Sequence, residues 1–145
     1  MPTVMDILTR KGSRVFSIPP AASVLDATIA MNDHKIGALV VQNGDGVAGI
    51  FTERDVLRRV VAEQKQPDSI QVEDVMTANV VCCGPETDID EASRIMADRR
   101  IRHLPVCDDS GKLLGMISMG DLNAFHASHQ EAQIHFLNEY VYGRA

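Results

Sequence analysis

Apolar residues along this chain fall into short runs and helical stripes in one fixed order, and the order is run through twice. An opening helical turn (4–8 in the first half, 72–76 in the second) leads to a short apolar segment (15–18; 80–83). A helix follows, opened by Ser23 or Thr87 with Asp26 or Asp90 three residues on, the spacing of an N-terminal capping pair. Its apolar positions, Val24, Ala27 and Met31 or Ile89, Ala92, Ile95 and Met96, recur at helical period. Next come a strand (36–41; 101–107), a turn (Asn43-Gly44-Asp45-Gly46; Asp108-Asp109-Ser110-Gly111) and a second strand (47–51; 113–117), which together predict a hairpin. A helix from Glu53 or Met119 closes each half. The predicted order is β-α-β-β-α twice, an α/β (α+β) fold.

The two halves also match residue for residue. An offset of 65 pairs Val15 with Val80, Pro20 with Pro85, Ala27 with Ala92, Met31 with Met96, Leu39 with Leu104 and Gly46 with Gly111. Upstream the offset is 68 (Val4/Val72, Asp6/Asp74), and downstream it is 66 (Gly49/Gly115, Asp55/Asp121). The three extra residues of the first half fall around Arg10–Ser13, where a polar loop accepts insertion. The halves are expected at 4–63 and 72–125, with 64–71 as linker and 126–145 as a C-terminal helical extension.

Composition narrows the function classes. The 145 residues make about one domain, long enough to bury a core without disulfides or metal. A net charge of −6 speaks against a general nucleic-acid binder, which needs a basic face, while leaving room for a local cationic pocket. No apolar run approaches the ~18–20 residues of a membrane span, and the polar N-terminus does not read as a signal peptide. Three cysteines, none in a CxxC pair, suit a reduced and therefore cytoplasmic setting.

Among the motifs, Gly44-Asp45-Gly46-Val47-Ala48-Gly49 spells GxGxxG, but its glycines lead into a strand, where a dinucleotide site needs them to open a helix. It reads as a hairpin turn. Thr52-Glu53-Arg54-Asp55 and Ser118-Met119-Gly120-Asp121 stand where strand becomes helix. Each fits a capping box, and each also fits a ligand site, since a carboxylate accepts from vicinal hydroxyls and a helix N-terminus favours anions. The second half carries Arg102-His103 where the first has Gly37-Ala38. Arg99, Arg100 and Arg102 fit a phosphate site or an exposed helix end beside its dipole. Adjacent Cys82 and Cys83 read as small apolar residues of which alternation turns one inward, with a redox thiol as the lesser alternative. Leu122, Phe125, His129, Ala132, Phe136 and Tyr140 form a heptad-like stripe suited to a partner subunit. His126, His129 and His135 are read as exposed helical histidines rather than a metal site. No catalytic constellation is present, so the chain is expected not to be an enzyme.

The doubled β-α-β-β-α plan, the IRHLPV strand (101–106) and the endings GIFTERD (49–55) and GMISMGD (115–121) resemble a pair of CBS domains, the modules named after cystathionine β-synthase. The resemblance runs from about Val4 to Phe125, and TERD followed by LRRVV (52–61) is especially similar to small stand-alone pairs of bacteria and plant organelles. It implies two repeats about a pseudo-twofold axis, with AMP, ADP or ATP (NAD and S-adenosylmethionine being further candidates) held in the clefts between them. It also implies a homodimer and an unidentified regulated protein. Carried onto this chain, one site would comprise Thr52, Asp55, Arg102 and His103, and the other Ser118, Asp121, Arg54, Gly37 and Ala38. The adenine slot would draw on Val15, Ser17, Ile18, Ile36, Val80, Cys82, Cys83 and Ile101. The expected function is an adenine-nucleotide sensor; a ligand-independent dimerisation scaffold and, behind it, a thiol redox partner are the alternatives.

Overall fold

The computed structural model describes residues 2–142, and side chains as far as residue 130. The elements run α1 (Val4–Lys11), β1 (Ser17–Ile18), α2 (Val24–His34), β2 (Ala38–Asn43), β3 (Gly46–Thr52) and α3 (Glu53–Asp55), which continues into a π-helical turn (Val56–Val61). A 3-10 turn (Pro67–Ser69) leads to α4 (Val72–Val75), α5 (Ile89–Arg99), β4 (His103–Cys107), β5 (Leu113–Ser118) and α6 (Met119–Tyr142).

β1 pairs parallel with β2, and β2 antiparallel with β3; β4 and β5 form the matching hairpin. The two hairpins shift register at equivalent points, Val41/Gln42 and Val106/Cys107. The expected strand at 80–83 shrinks to one parallel bridge, Cys83 to Val106. In the first repeat Val40 N–H donates to the Phe16 carbonyl at 3.2 Å. Pro105 holds the place of Val40 and has no N–H, so that rung is lost. Both β2 and β4 begin two residues later than the apolar pattern predicts. The carbonyls of Gly37 and Arg102 instead accept from the first N–H of the closing helices, Glu53 at 3.0 Å and Met119 at 2.8 Å. Ser23 caps α2 as expected, its Oγ accepting from Asp26 N–H at 3.0 Å. Thr87 does not cap α5. Its Oγ1 accepts from Gly84 N–H at 3.2 Å, which leaves Asp88 to cap the helix by accepting from Asp90 N–H at 2.8 Å.

The largest departure from the linear pattern is an exchange. Val4, Ile7 and Leu8 of α1 are buried with Ile89, Ala92, Met96, Leu104, Val106 and Ile117 of the second repeat. Reciprocally, Val72 and Val75 of α4 are buried with Val24, Ala27, Leu39, Val41 and Phe51 of the first. Each opening helix therefore completes the other repeat's core. Backbone hydrogen bonds fix the exchange with twofold fidelity. Val4 N–H donates to Thr87 O and Val72 N–H to Ala22 O, each at 2.8 Å; Ile89 N–H donates to Pro2 O at 3.2 Å and Val24 N–H to Ile70 O at 2.9 Å. The expected linker thus ends in two residues tied to the first repeat, since Gln71 also bridges Ser23. Gly49 and Gly115 mark where the exchanged helices press on the hairpins. A Cβ at Gly49 would lie 2.6 Å from Met76 Sδ and 2.7 Å from the Thr77 carbonyl; one at Gly115 would lie 2.8 Å from Leu8 Cδ2. The last glycine of the GxGxxG spelling is thus a packing residue.

Leu8→Ala should cost about 2–5 kcal/mol as a core truncation. Its cavity should open the second repeat. In hydrogen exchange followed by mass spectrometry, peptides covering 89–117 are expected to lose protection before those covering 24–51, and the reverse order would refute the exchange.

Candidate functional site

Thr52 and Ser118 each end a strand in extended backbone and start a helix. Thr52 N–H donates to Asp55 Oδ2 at 3.0 Å, and Asp55 N–H to Thr52 Oγ1 at 3.2 Å. Ser118 N–H donates to Asp121 Oδ2 at 2.8 Å, and Asp121 N–H to Ser118 Oγ at 3.1 Å. Both expected capping boxes form, and they hold the two carboxylates at the starts of the closing helices.

The surroundings of the two acids differ. Asp55 is buried, with Oδ1 3.7 Å from Arg59 Nε. Arg59 also donates to the carbonyls of Val75 at 3.1 Å and Met76 at 3.0 Å, so it ties the end of α4 to the first repeat. Asp55 and Thr52 face a cavity of about 650 Å³, within the range of small-ligand pockets. Its walls come from both repeats: Gly37, Ile50 and the 52–55 turn on one side, Val80, Val81 and the 99–103 segment on the other. Arg54, Arg58, Arg59, Arg99, Arg100 and Arg102 all line it. Six of the 14 Lys and Arg residues thus gather at one cleft in a chain of net charge −6, which focuses positive potential there. Asp121, in contrast, accepts from Lys11 Nζ at 2.7 Å, and the same ammonium donates to the Met116 carbonyl at 3.0 Å. Burial opposes ionisation of Asp121, but the bonds from Lys11 and from Ser118 N–H prevail and hold its carboxyl below the usual range.

His103 stands between the two halves. Burial, and then the Arg102 charge, push its imidazole below the ordinary value, while the carboxylates of Asp121 and Glu53 pull the other way. The net effect favours the neutral imidazole. Gly37 allows a close approach, since a Cβ there would meet the Glu53 carboxyl group at 3.3 Å.

The geometry brings together Thr52, Asp55, Arg102 and His103, with Val80 and Ile101 as apolar wall. Arg54 and Gly37, grouped by sequence with the Asp121 half, line this same cavity. Ser118, Asp121 and the buried Ala38 are not in its lining. Nor are the other slot candidates. Ile18 lies in the first core with Ile36 packed against it, and Val15 and Ser17 stay outside the lining. Cys83 belongs to the second core, while Cys82 is exposed. Sequence reading missed Arg58 and Arg59, whose Arg-Arg pair about two helical turns beyond Thr52 was visible, and Asn79, whose place depends on the exchanged chain path.

Such a site offers a carboxylate and a hydroxyl at a helix start, an aliphatic wall and a guanidinium rim. It can hold a polyhydroxylated group at one end and an anion at the other. The CBS domain model matches residues 4–62 and 72–126, which are the two repeats. The chain belongs to the CBS domain family. This CBS pair is 35% identical over 150 residues to the mitochondrial CBS domain-containing protein CBSX3 of Arabidopsis thaliana, covering 97% of this chain and 72% of that one. A putative signal-transduction protein with CBS domains from Burkholderia ambifaria superposes with a TM-score of 0.84 at 41% identity, over 89% of this chain and 96% of that one. The CBS pair of protein MJ0100, solved with 5-methylthioadenosine and S-adenosyl-L-methionine, shares the fold at a TM-score of 0.79 and 22% identity, over 89% and 98%. Other curated relatives are longer: the chain spans 53% of one and 22% of another. Among the described residues of this CBS pair, no helix is long and apolar enough to cross a membrane and no group of side chains is placed to hold a metal ion. The heptad-like stripe, expected against a partner subunit, begins instead in this chain's own second core, with Leu122 buried there, Phe125 packed on it and His129 stacked on Phe125 at 6.1 Å. The side chains of Ala132, His135, Phe136 and Tyr140 lie outside the described residues.

Burial pushes the Cys83 thiol up to about 11 and that of Cys107, which also bonds with Cys82, up to about 12. Both thiols are poor nucleophiles at neutral pH. Iodoacetamide at pH 7.5 should label exposed Cys82 first and reach Cys83 and Cys107 only on unfolding; peptide mass spectrometry that found Cys107 modified as fast as Cys82 would refute this order.

Proposed function

We propose that this CBS pair is a regulatory module that binds an adenine nucleotide in the Asp55 cavity and, through it, modulates a partner protein or its own assembly. The observation that carries the reading is the meeting of a buried carboxylate at a helix start with six arginines in one two-repeat cleft. In this reading the ribose hydroxyls donate to Asp55, and Thr52 Oγ1 lies beside the first phosphate. The arginine rim, led by Arg102 and Arg54, neutralises the phosphates, with neutral His103 able to donate a further hydrogen bond. Adenine lies against Val80, Ile101 and Ile50, because the chain has no Trp to stack on. The MJ0100 pair, which holds adenosine-derived ligands, supports a nucleoside ligand at the level of shared fold.

A ligand in this cleft touches both repeats, so it favours whichever arrangement of the repeats closes on it, and that differential affinity is the regulatory output. The residues bind charge and orient groups; the role assigned is binding, not turnover. With three free thiols the chain is assigned to a reducing compartment, the cytoplasm in the first place. We also infer a homodimer. Leu25 with Ile29 on α2, and Leu57 with Val61 beyond α3, are exposed apolar pairs one helical turn apart. Their second-repeat equivalents are Asp90, Arg94, Asn123 and Ala127. These exposed apolar pairs thus belong to the first repeat alone, where a second copy would cover them.

Isothermal titration with AMP, ADP, ATP and NAD tests the ligand. Affinity is expected to rise with phosphate number, to fall with added salt, and to drop about tenfold or more in Asp55→Asn, as loss of a charged acceptor costs about 1.5–3 kcal/mol. No heat with any nucleotide, from protein shown to be folded, would favour the ligand-independent scaffold. Sedimentation velocity tests assembly: a dimer is expected for the unaltered chain and a monomer for Leu57→Glu with Val61→Glu. A monomeric unaltered chain would refute the dimer.

A further inference from the structure

We infer that Cys82 and Cys107 form a reversible oxidation site, a thiol pair that a peroxide converts into an intramolecular disulfide joining the 80–83 segment to β4. The register places them together. Cys83 and Val106 share a parallel bridge, and both are buried in the second core. Neighbouring side chains of extended backbone point to opposite faces, so Cys82 before the one and Cys107 after the other turn outward together. Cys82 is exposed and Cys107 half-buried. Cys107 N–H donates to the Cys83 carbonyl at 2.9 Å, where β4 shifts register against β5, and the Cys107 thiol bonds with the Cys82 sulfur. The first repeat has the same arrangement without thiols. There Ile18 and Val41 are buried, and beside them, at the offset of 65, stand exposed Ser17 and half-buried Gln42.

Exposure decides the order of events. Cys82 is the sulfur that an oxidant meets. Its attack on hydrogen peroxide breaks the O–O bond and gives a sulfenic acid and one water, two electrons passing from sulfur to oxygen. Cys107, held against it, then attacks the Cys82 sulfur. The S–O bond breaks, the S–S bond forms, and the hydroxide leaves with the Cys107 proton as a second water. Burial makes Cys107 a poor nucleophile toward dissolved reagents, so it resolves the sulfenic acid beside it, where proximity takes the place of a free thiolate. Cys83 faces the core, its thiol pushed up by burial, and takes no part. The bond fastens a wall that the backbone ties loosely. In the first repeat Val40 N–H holds Phe16; the equivalent rung to Val81 is lost at Pro105, so the attachment to β4 starts at Cys83. Val80 and Val81, just ahead of it, line the cavity. In a reducing compartment such a disulfide is a transient, signalling state.

The test needs no bound nucleotide. The full chain is treated with hydrogen peroxide, quenched with N-ethylmaleimide and digested for mass spectrometry. A loss of two hydrogens is expected, with a cross-linked peptide joining Cys82 to Cys107 that dithiothreitol separates. Cys83→Ser should form the same bond, which settles the assignment between the adjacent cysteines. Cys107→Ser, shown to be folded by circular dichroism, should stop at a sulfenic acid on Cys82 that dimedone captures. Hydrogen exchange in peptides covering 77–83 should be slower by about tenfold or more in the cross-linked chain than in the reduced one. Oxidation of Cys82 to sulfinic or sulfonic acid without a bond to Cys107, a disulfide to Cys83, or a disulfide between two chains overturns the inference. So does a reduced pair that survives peroxide able to oxidise the unfolded chain. Exchange unchanged by the cross-link overturns the fastening of the wall.

Discussion

A β-α-β-β-α unit of this size cannot cover its own hairpin from both sides, and here the missing cover is exchanged between the two units. Val4, Ile7 and Leu8 close the second core, and Val72 and Val75 the first. Each such side chain contributes roughly 1.5–3 kcal/mol by leaving water, and each does so only if the other repeat is folded and correctly placed. The exchange therefore fixes more than stability. It sets the orientation of the repeats, and that orientation brings the 99–103 segment of one opposite the 52–55 turn of the other. Gly49 and Gly115 follow from the same constraint, because only a residue without a side chain lets Met76 and Leu8 lie on the hairpins.

The electrostatic character of the cleft is a second consequence. The arginines come from two stretches distant in sequence, 54–59 and 99–102, neither of them dense enough to mark a binding surface alone. Joined across the cleft, they concentrate a third or more of the basic residues around one buried acid, in a molecule whose overall charge is negative. In the proposed reading a small anionic ligand meets these arginines at the cleft, where each is still exposed to solvent. Local field and net charge answer different questions, and only the former selects a ligand.

Pseudo-symmetry frames the comparison of the two halves. The capping boxes of the closing helices, the register shifts of the hairpins and the packing glycines repeat across the twofold, whereas side chains at the two carboxylates do not. A main-chain N–H from Thr77 serves one hairpin and the ammonium of Lys11 serves the other. Duplication preserves what the backbone needs for folding and leaves the surroundings of the two acids free to diverge.

Much of this was legible in the linear pattern. The repeat, the element order and the caps at Ser23, Thr52 and Ser118 follow from local spacing and the likeness between halves, since capping boxes and hairpin turns are written within a few residues; the grouping of Asp55 with Arg102 and His103 came only from the family resemblance, and those residues line one cavity. Which core each opening helix completes was not legible, because an amphipathic opening helix shows that it buries a face and not against which core. For the same reason Arg54 and Gly37, grouped by sequence with the Asp121 half, line the Asp55 cavity, and the slot candidates Ile18 and Cys83 went into cores. Thr87 failed as a cap because its hydroxyl was claimed by Gly84, a choice between two adjacent partners that spacing leaves open. The sequence by itself determined a doubled fold with an acid at the start of each closing helix. Only the tertiary structure decided which chain segments meet across the axis and which acid Lys11 covers, because those contacts join residues about 50 to 110 positions apart, where local pattern carries no information.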